Sequence, residues 1–412
     1  MRGLLGIAVL LLLAWAISED RFRVPWRLVA AGVALQFALA LLLLKFHPAA
    51  AAFLLLNDAV EALQKATNAG TGFVFGYLGG GPPPFAETEP ANSFVFAFRA
   101  LPMVLVVSAL ATLLFYWGVL QRVVGAFAWV LRRSLGIGGP LGLGAAVHIF
   151  VGHIEAPLLI RPYLQHMARG ELFALMSCGM AGIAGTVMVL YASLLGPVIP
   201  DALGNILIAA VISTPAALAV ASLMVPFRPD PAGAAQLMVD DPPVSSMDAV
   251  AKGTRDGIVF LLNITASLVV VIALVALFNS LLNLLPDIGG APITLQRLFA
   301  YCFRPVMWLI GIPGPETAAA AALMSTKTVL NEFVAYVDLS KIAPDALGDH
   351  SRLIMTYALC GFANFGSLGI LIGGMGAMVP ERRREIVALG PRSILSGTLA
   401  TCMSGAVVGV LG

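Results

Sequence analysis

Two acidic residues stand where an acid is expensive. Glu155 lies in Gly152-His153-Ile154-Glu155-Ala156-Pro157-Leu158-Leu159-Ile160-Arg161-Pro162, and Glu332 in Asn331-Glu332-Phe333-Val334-Ala335-Tyr336, each amid apolar sequence. An acid at the centre of a membrane helix costs roughly 2.5–3.5 kcal/mol and marks a functional site by default. Gly152 and Pro157 break regular helix on either side of Glu155. Broken backbone at membrane depth survives only where protein buries it or where it lines a watery cavity. A plain turn between helices, with Glu155 at a membrane surface, is the competing account, and it weakens once the second acid is set beside the first. A Cys-Gly run, Cys178 to Thr186, begins 23 positions after Glu155, and another, Cys360 to Gly369, begins 28 positions after Glu332. Paired interrupted segments in matching halves point to a transporter's midplane site, commonly built from inverted repeats. Chance likeness among apolar segments is the alternative.

The elements that must hold these acids are membrane helices. Of the 412 residues 59% are hydrophobic and 11% charged, with a mean hydropathy of +0.93; soluble domains carry about 25% charge. The chain is an all-α polytopic membrane protein. A net charge of +2 offers no basis for a nucleic-acid partner. Cys178, Cys302, Cys360 and Cys402 sit in apolar or small-residue contexts without metal-ligand spacing and read as packing residues. No metal site, cofactor or catalytic residue is expected.

Taken in order, residues 3–17 are apolar. Ala14-Trp15-Ala16 would suit a secretory signal, but a second span over 26–45 follows at once and favours a first membrane helix. Arg21, Arg23 and Arg27 place the joint between them on the cytoplasmic side. Residues 51–66 and 118–135 read as helices lying along the membrane, separated by a Gly- and Pro-rich loop over 70–90 and a span over 94–116. An interrupted segment over 140–164 reads as a re-entrant hairpin, followed by spans over 171–195 and 202–224. Small residues in the first of these let backbones pack closely or unwind around a ligand. Pro226 to Asp256 is a polar joint between halves, and a long apolar helix spans 257–285. A second hairpin falls within 297–336, and further spans cover 352–378 and 390–411.

Ile149-Phe150-Val151-Gly152 with Glu155 to Tyr163, Asn331 to Tyr336, and Tyr357 to Gly374 (YALCGFANFGSLGILIGG) resemble the concentrative nucleoside transporter family. The similarity runs from about Phe96 to the C-terminus. It implies a homotrimer in a bacterial inner membrane, each protomer with eight membrane helices, two re-entrant hairpins and interfacial helices. It implies cation-coupled nucleoside uptake, with a mobile transport domain moving against a trimeric scaffold. The expected division is scaffold over 1–135, first transport half over 136–225, cytoplasmic linker over 226–256, a scaffold helix over 257–290 and second transport half over 291–412. By position Glu332, Asn364 and Ser367 match the ribose-binding residues, with Phe362 lining the pocket and Glu155 and Val187 on the base side. A carboxylate, an amide and a hydroxyl suit vicinal hydroxyl donors. Asn364 and Ser367, three apart, are expected on one helix face.

The first half departs from the family pattern. Gly-Gln-Thr-Glu becomes Gly152-His153-Ile154-Glu155, so the base-reading end is altered while the sugar-reading end is kept. The sodium-binding Asn and Ser positions hold His148 and Gly182, so both side-chain oxygens are lost; carbonyls near Val151 and Ile183 remain. Histidine titrates near neutral pH, and of the titratable His148, His153 and Glu155 in this hairpin Glu155 is the first candidate proton carrier and His148 the second; a histidine merely packed inside the hairpin is the plain alternative. Proton coupling is therefore expected over sodium. A sodium symporter built on carbonyls, a channel, and a transporter for a modified nucleoside are the alternatives. An intramembrane enzyme lacks any His-Glu-x-x-His or Gly-x-Ser-x-Gly motif.

Overall fold

The computed structural model describes residues 2–45, 47–86, 95–153, 155–228, 241–287 and 290–412. Long Leu-, Ala- and Val-rich runs form long helices, and Gly and Pro cut the rest into short ones; no strand forms among the described residues. The N-terminal elements are α1 (Arg2–Ala16), α2 (Trp26–Lys45), α3 (His47–Phe75), α4 (Phe96–Arg99), α5 (Met103–Tyr116) and α6 (Val119–Leu135). The first half of the repeat continues with α7 (Gly139–Val147), α8 (Glu155–Leu159), α9 (Arg161–Leu164), α10 (Arg169–Ala181), α11 (Gly185–Leu195) and α12 (Ala202–Met224). After α13 (Ser246–Leu282) come α14 (Leu295–Leu309), α15 (Thr317–Val329), α16 (Glu332–Lys341), α17 (Asp349–Leu359), α18 (Phe365–Met378) and α19 (Arg383–Leu411). Among the described residues, five helical stretches are long and apolar enough to cross a membrane.

The two halves repeat one order of parts. An amphipathic basic helix (α6, α14) precedes a pair of short helices (α7 and α8, α15 and α16). A helix broken in its middle follows (α10 and α11, α17 and α18), then a long, largely buried helix (α12, α19). Two spans expected from the sequence, 171–195 and 352–378, are thus each two short helices with extended backbone between them, at Gly182–Ala184 and Cys360–Asn364. The second hairpin is shorter than the 297–336 segment, because α14 is a separate amphipathic helix packed on α15. The helix expected from 257 begins at Ser246, where the Ser245 hydroxyl accepts from the Asp248 N–H and caps it. Part of the expected linker, 229–240, lies outside the described residues, as does Ile154.

Helices α1 and α2 lie against α12 and α19. A Cβ at Gly32 would stand 2.9 Å from both the Pro215 carbonyl oxygen and Ala219 Cβ, so α2 and α12 touch backbone to backbone. Buried Gln36 donates to the Ser404 hydroxyl at 3.1 Å, and Ser404 in turn pairs with Ser213 at 2.9 Å, stitching α2, α12 and α19. Helix α5 pairs instead with α13: a Cβ at Gly253 or Gly257 would meet the Ala109 or Leu105 Cα at 2.7 or 2.9 Å. Beyond that contact α13 presents Val269, Leu274 and Leu277 outward.

At one end of the molecule an ion-pair cluster fixes the α1–α2 joint to the repeat. Glu19 pairs with Arg169 at 3.0 Å and Arg392 at 2.7 Å, and Glu385 with Arg382 at 2.7 Å. Arg382 also donates to the Leu164 carbonyl at 2.8 Å. The Arg169 guanidinium, donating to Glu19, holds that carboxyl below the usual carboxylate range, with Arg392 adding to the effect.

Candidate functional site

Both broken helices unwind at one place. The Phe362 N–H donates to the Gly182 carbonyl at 3.1 Å, and a Cβ at Gly361 would lie 2.9 Å from the Met180 carbonyl oxygen. Only glycine permits that crossing. Breaking two helices exposes N–H groups and carbonyls that water would otherwise satisfy, and the second half meets this need with side chains. Asn364 is extended (φ −144°, ψ 166°), and its Oδ1 accepts from the Ser367 N–H at 2.7 Å, capping α18. Asn331 caps α16 in the same way, accepting from the Val334 N–H at 2.9 Å. Asn364 and Ser367, three apart as their spacing suggested, are joined at the start of α18 by this cap.

Two buried cations serve the carboxyl ends. Lys327 on α15, fully buried, donates to the Ala358 carbonyl in the last turn of α17 at 2.8 Å and to the Thr401 hydroxyl on α19 at 3.0 Å. Arg352 donates to the Leu347 carbonyl at 2.9 Å and the Leu339 carbonyl at 3.4 Å, the latter in the last turn of α16. Both place positive charge at the negative end of a helix.

With its ends closed in this way, α16 presents Glu332 as its first residue, 4% exposed. Tyr191 on α11 donates its hydroxyl proton to Glu332 Oε1 at 2.7 Å, and Asn364 Nδ2 donates to Oε2 at 2.8 Å. Each carboxylate oxygen has about two lone-pair sites, so one on each remains for a further donor. These groups, with Ser367 and Phe333, line one end of a cavity bounded by the two short-helix pairs, the broken helices and α13. Phe333 stacks on Phe96 at 4.1 Å and so brings the segment before α5 against α16.

The other end of the cavity is lined by Gly152, His153, Glu155, Val187 and Phe362. His153 packs on the Phe362 ring at 4.8 Å. The Glu155 carboxylate folds over Gly152, where a Cβ would stand 2.2 Å from its Oε2. The tip docks on α11: Gly185 N–H donates to the Phe150 carbonyl at 3.0 Å. His148, Val151, Gly182 and Ile183 are not in the lining. His148 and Gly182 face each other behind it, the His148 carbonyl oxygen 3.3 Å from where a Gly182 Cβ would stand and the Cys178 oxygen 3.4 Å away. The His148 ring and the His153 Cβ flank Gly179, both residues are buried, and neither Nε2 has a hydrogen-bond partner.

The structure thus gathers Glu332, Asn364, Ser367, Phe362, Val187, His153 and Glu155 around one cavity. Sequence reasoning missed Tyr191, Lys327 and Arg352. Tyr191 lies four residues after Val187, one turn along the same helix. Lys327 was itself a signal, a lone cation in an apolar hairpin.

A helical protein with crossed broken helices, paired acid-bearing tips and an interior cavity between them has the build of a membrane transporter. Residues 5–78 match the family described as Na+ dependent nucleoside transporter N-terminus, 205–409 its C-terminus counterpart, and 97–198 the one described as Gate, nucleoside recognition. An uncharacterized transporter of Haemophilus influenzae is 35% identical over 100% of this chain and 97% of its own. Solute carrier family 28 member 3 of Mus musculus is 34% identical over 98% of this chain, which spans only 58% of that longer protein. CNTnw in an inward-facing substrate-bound state superposes with a TM-score of 0.88 at 34% identity, covering 99% of this chain and 98% of that one. The chain belongs to the concentrative nucleoside transporter family.

Proposed function

We propose that the chain takes up nucleosides across the inner membrane of a bacterium, coupled to protons, as a homotrimer. Glu332, Asn364 and Ser367 hold the ribose. Phe362, Val187, His153, Ile154 and Glu155 surround the base. The observation that carries the nucleoside reading is Glu332, whose carboxylate lines the cavity and keeps acceptor capacity once Tyr191 and Asn364 are satisfied; a vicinal diol supplies two donors. The two short-helix pairs are the re-entrant hairpins. The moving body comprises α1, α2, α7 to α12 and α15 to α19, and the α5–α13 pair belongs to the scaffold, in keeping with how these helices pack.

Proton coupling is supported by His148 and His153, two buried imidazoles whose Nε2 atoms lack partners at the hairpin tip. A buried polar nitrogen without a partner is costly, and a water reaching it as the tip opens would satisfy it and give a proton a way in. One observation favours the sodium reading: the His148 and Cys178 carbonyl oxygens converge on Gly182, and the mammalian relatives include a sodium/nucleoside cotransporter. Uptake into proteoliposomes separates the two. A panel of nucleosides is offered at fixed pH with and without external sodium, then at fixed sodium with an inward pH step. Uptake driven by the pH step and indifferent to sodium is expected. A strict sodium requirement with no pH response would reverse the coupling ion, and no uptake of any nucleoside would overturn the transport reading.

A further inference from the structure

Resting on the reading of Glu332 as the ribose carboxylate, we infer that Tyr191 is a positioning residue for sugar recognition, and that its hydroxyl sets how strongly the transporter distinguishes a ribonucleoside from its deoxy counterparts. A carboxylate recognises a vicinal diol well only if its plane is fixed, because two acceptors must meet two donors together. Glu332 is the first residue of α16, and its side chain has three rotatable bonds, so the helix alone does not fix that plane. Two donors do so from opposite sides: Asn364 Nδ2 on Oε2 at 2.8 Å, and Tyr191 Oη on Oε1 at 2.7 Å. Asn364 is itself immobilised by capping α18. Tyr191 is immobilised by burial and by packing of its ring 5.1 Å from that of Tyr336, whose own hydroxyl donates to the Thr356 carbonyl at 2.9 Å. The carboxylate is thus clamped between two rigid donors on different helices, and it lines the cavity.

A phenol both donates and accepts. With its proton committed to Glu332, the Tyr191 oxygen keeps acceptor capacity, and Tyr191 lines the same cavity as Glu332 and Ser367. Tyr191 and the base-side Val187 stand one turn apart on α11, about 6 Å along the axis. One short rigid helix therefore carries a contact for each end of the solute. Losing the hydroxyl would free the carboxylate to rotate and weaken the interactions of the ribose hydroxyls while leaving base contacts alone.

The test is a cycle between protein and substrate. Tyr191→Phe removes only the hydroxyl; 4-fluorophenylalanine at position 191 fills its space without a proton to donate and serves if the first variant does not fold. Uptake kinetics are measured in proteoliposomes for adenosine and uridine and for the 2′-deoxy and 3′-deoxy form of each. The expected result is a KM for the ribonucleosides raised about tenfold, as for the loss of one hydrogen bond to a charged group, with maximal rate changed by less than about twofold. For at least one deoxy series the variant and wild-type KM should agree, so that discrimination collapses. An equal loss for ribo- and deoxynucleosides would show a structural role and overturn the inference. Unchanged discrimination would overturn it as well. A wild-type protein that takes up none of these solutes would instead bring down the transport reading on which the inference rests.

Discussion

The two hairpin tips occupy equivalent places in the repeat and have opposite polar economies. At the α15–α16 tip the turn is two residues, Leu330 and Asn331; Asn331 caps the helix, Glu332 accepts from two donors, and Lys327 lies buried five residues upstream. At the α7–α8 tip the turn is longer and begins at His148, Glu155 opens the second helix as Glu332 does, and position 150, five upstream of the acid, is Phe. Two imidazoles there keep buried nitrogens without partners. The breaks differ in the same sense: Asn364 caps α18, while Ala184, at the matching place before α11, has no side chain that can cap. A hydrogen-bonded network of this kind leaves little room for change, since losing any member strands the others in a low-dielectric interior. The tip with orphaned groups is the one a lineage can retune, and it is where this chain departs from the family pattern.

Glu332→Gln should break the second tip outright. The amide turns an N–H toward a donor, Tyr191 or Asn364, and loses an acceptor for the diol; two interactions of roughly 1.5–3 kcal/mol each predict a fall in uptake of at least about 100-fold. Protein of unchanged size-exclusion profile that still took up ribonucleosides at the wild-type rate would remove Glu332 from the sugar site.

Lys327→Met asks whether that tip depends on its buried cation. The Ala358 carbonyl would lose its donor and α17 its cap, and a buried polar group left unsatisfied costs about 1–3 kcal/mol. A lower thermal midpoint in detergent is expected, together with reduced uptake. A midpoint equal to wild type would mean that neighbouring groups or water replace the ammonium.

The smallest effect is expected at the first tip, where His153→Gln with Ile154→Thr restores the residues usual in the family. Affinity for uridine should rise by a few-fold to about tenfold, the worth of one or two modest hydrogen bonds. The readout is competition among nucleosides for uptake. An unchanged order of preference would show that these positions do not read the base.

Much of this was legible in the residues. Hydropathy marked the membrane-embedded elements, the amphipathic helix over 118–135 and the long helix after the polar joint, because burial in lipid demands runs of apolar side chains. Glu155 and Glu332 announced themselves, since an acid in such surroundings must be held for a purpose. The breaks at Gly182–Ala184 and Cys360–Asn364 were concealed: small-residue runs read equally as tight helix packing or as unwound backbone, and only a crossing strand of protein makes unwinding affordable.

What the sequence by itself determined was therefore the class of protein, the repeat and the two acids, dictated by one-dimensional patterns of hydropathy and spacing, while the amide Asn364 was reached through the family resemblance. What only the tertiary structure decided was which groups satisfy them. Tyr191 reaches Glu332 across 141 positions of chain, and Lys327 reaches Thr401 across 74. Helices α1 and α2 reach the repeat in the same way, through Gly32, Gln36 and Glu19 meeting partners nearly 200 or more positions away. Such pairings depend on how helices stack, and helix stacking is set by the shapes of whole faces brought together, which no local window of sequence contains.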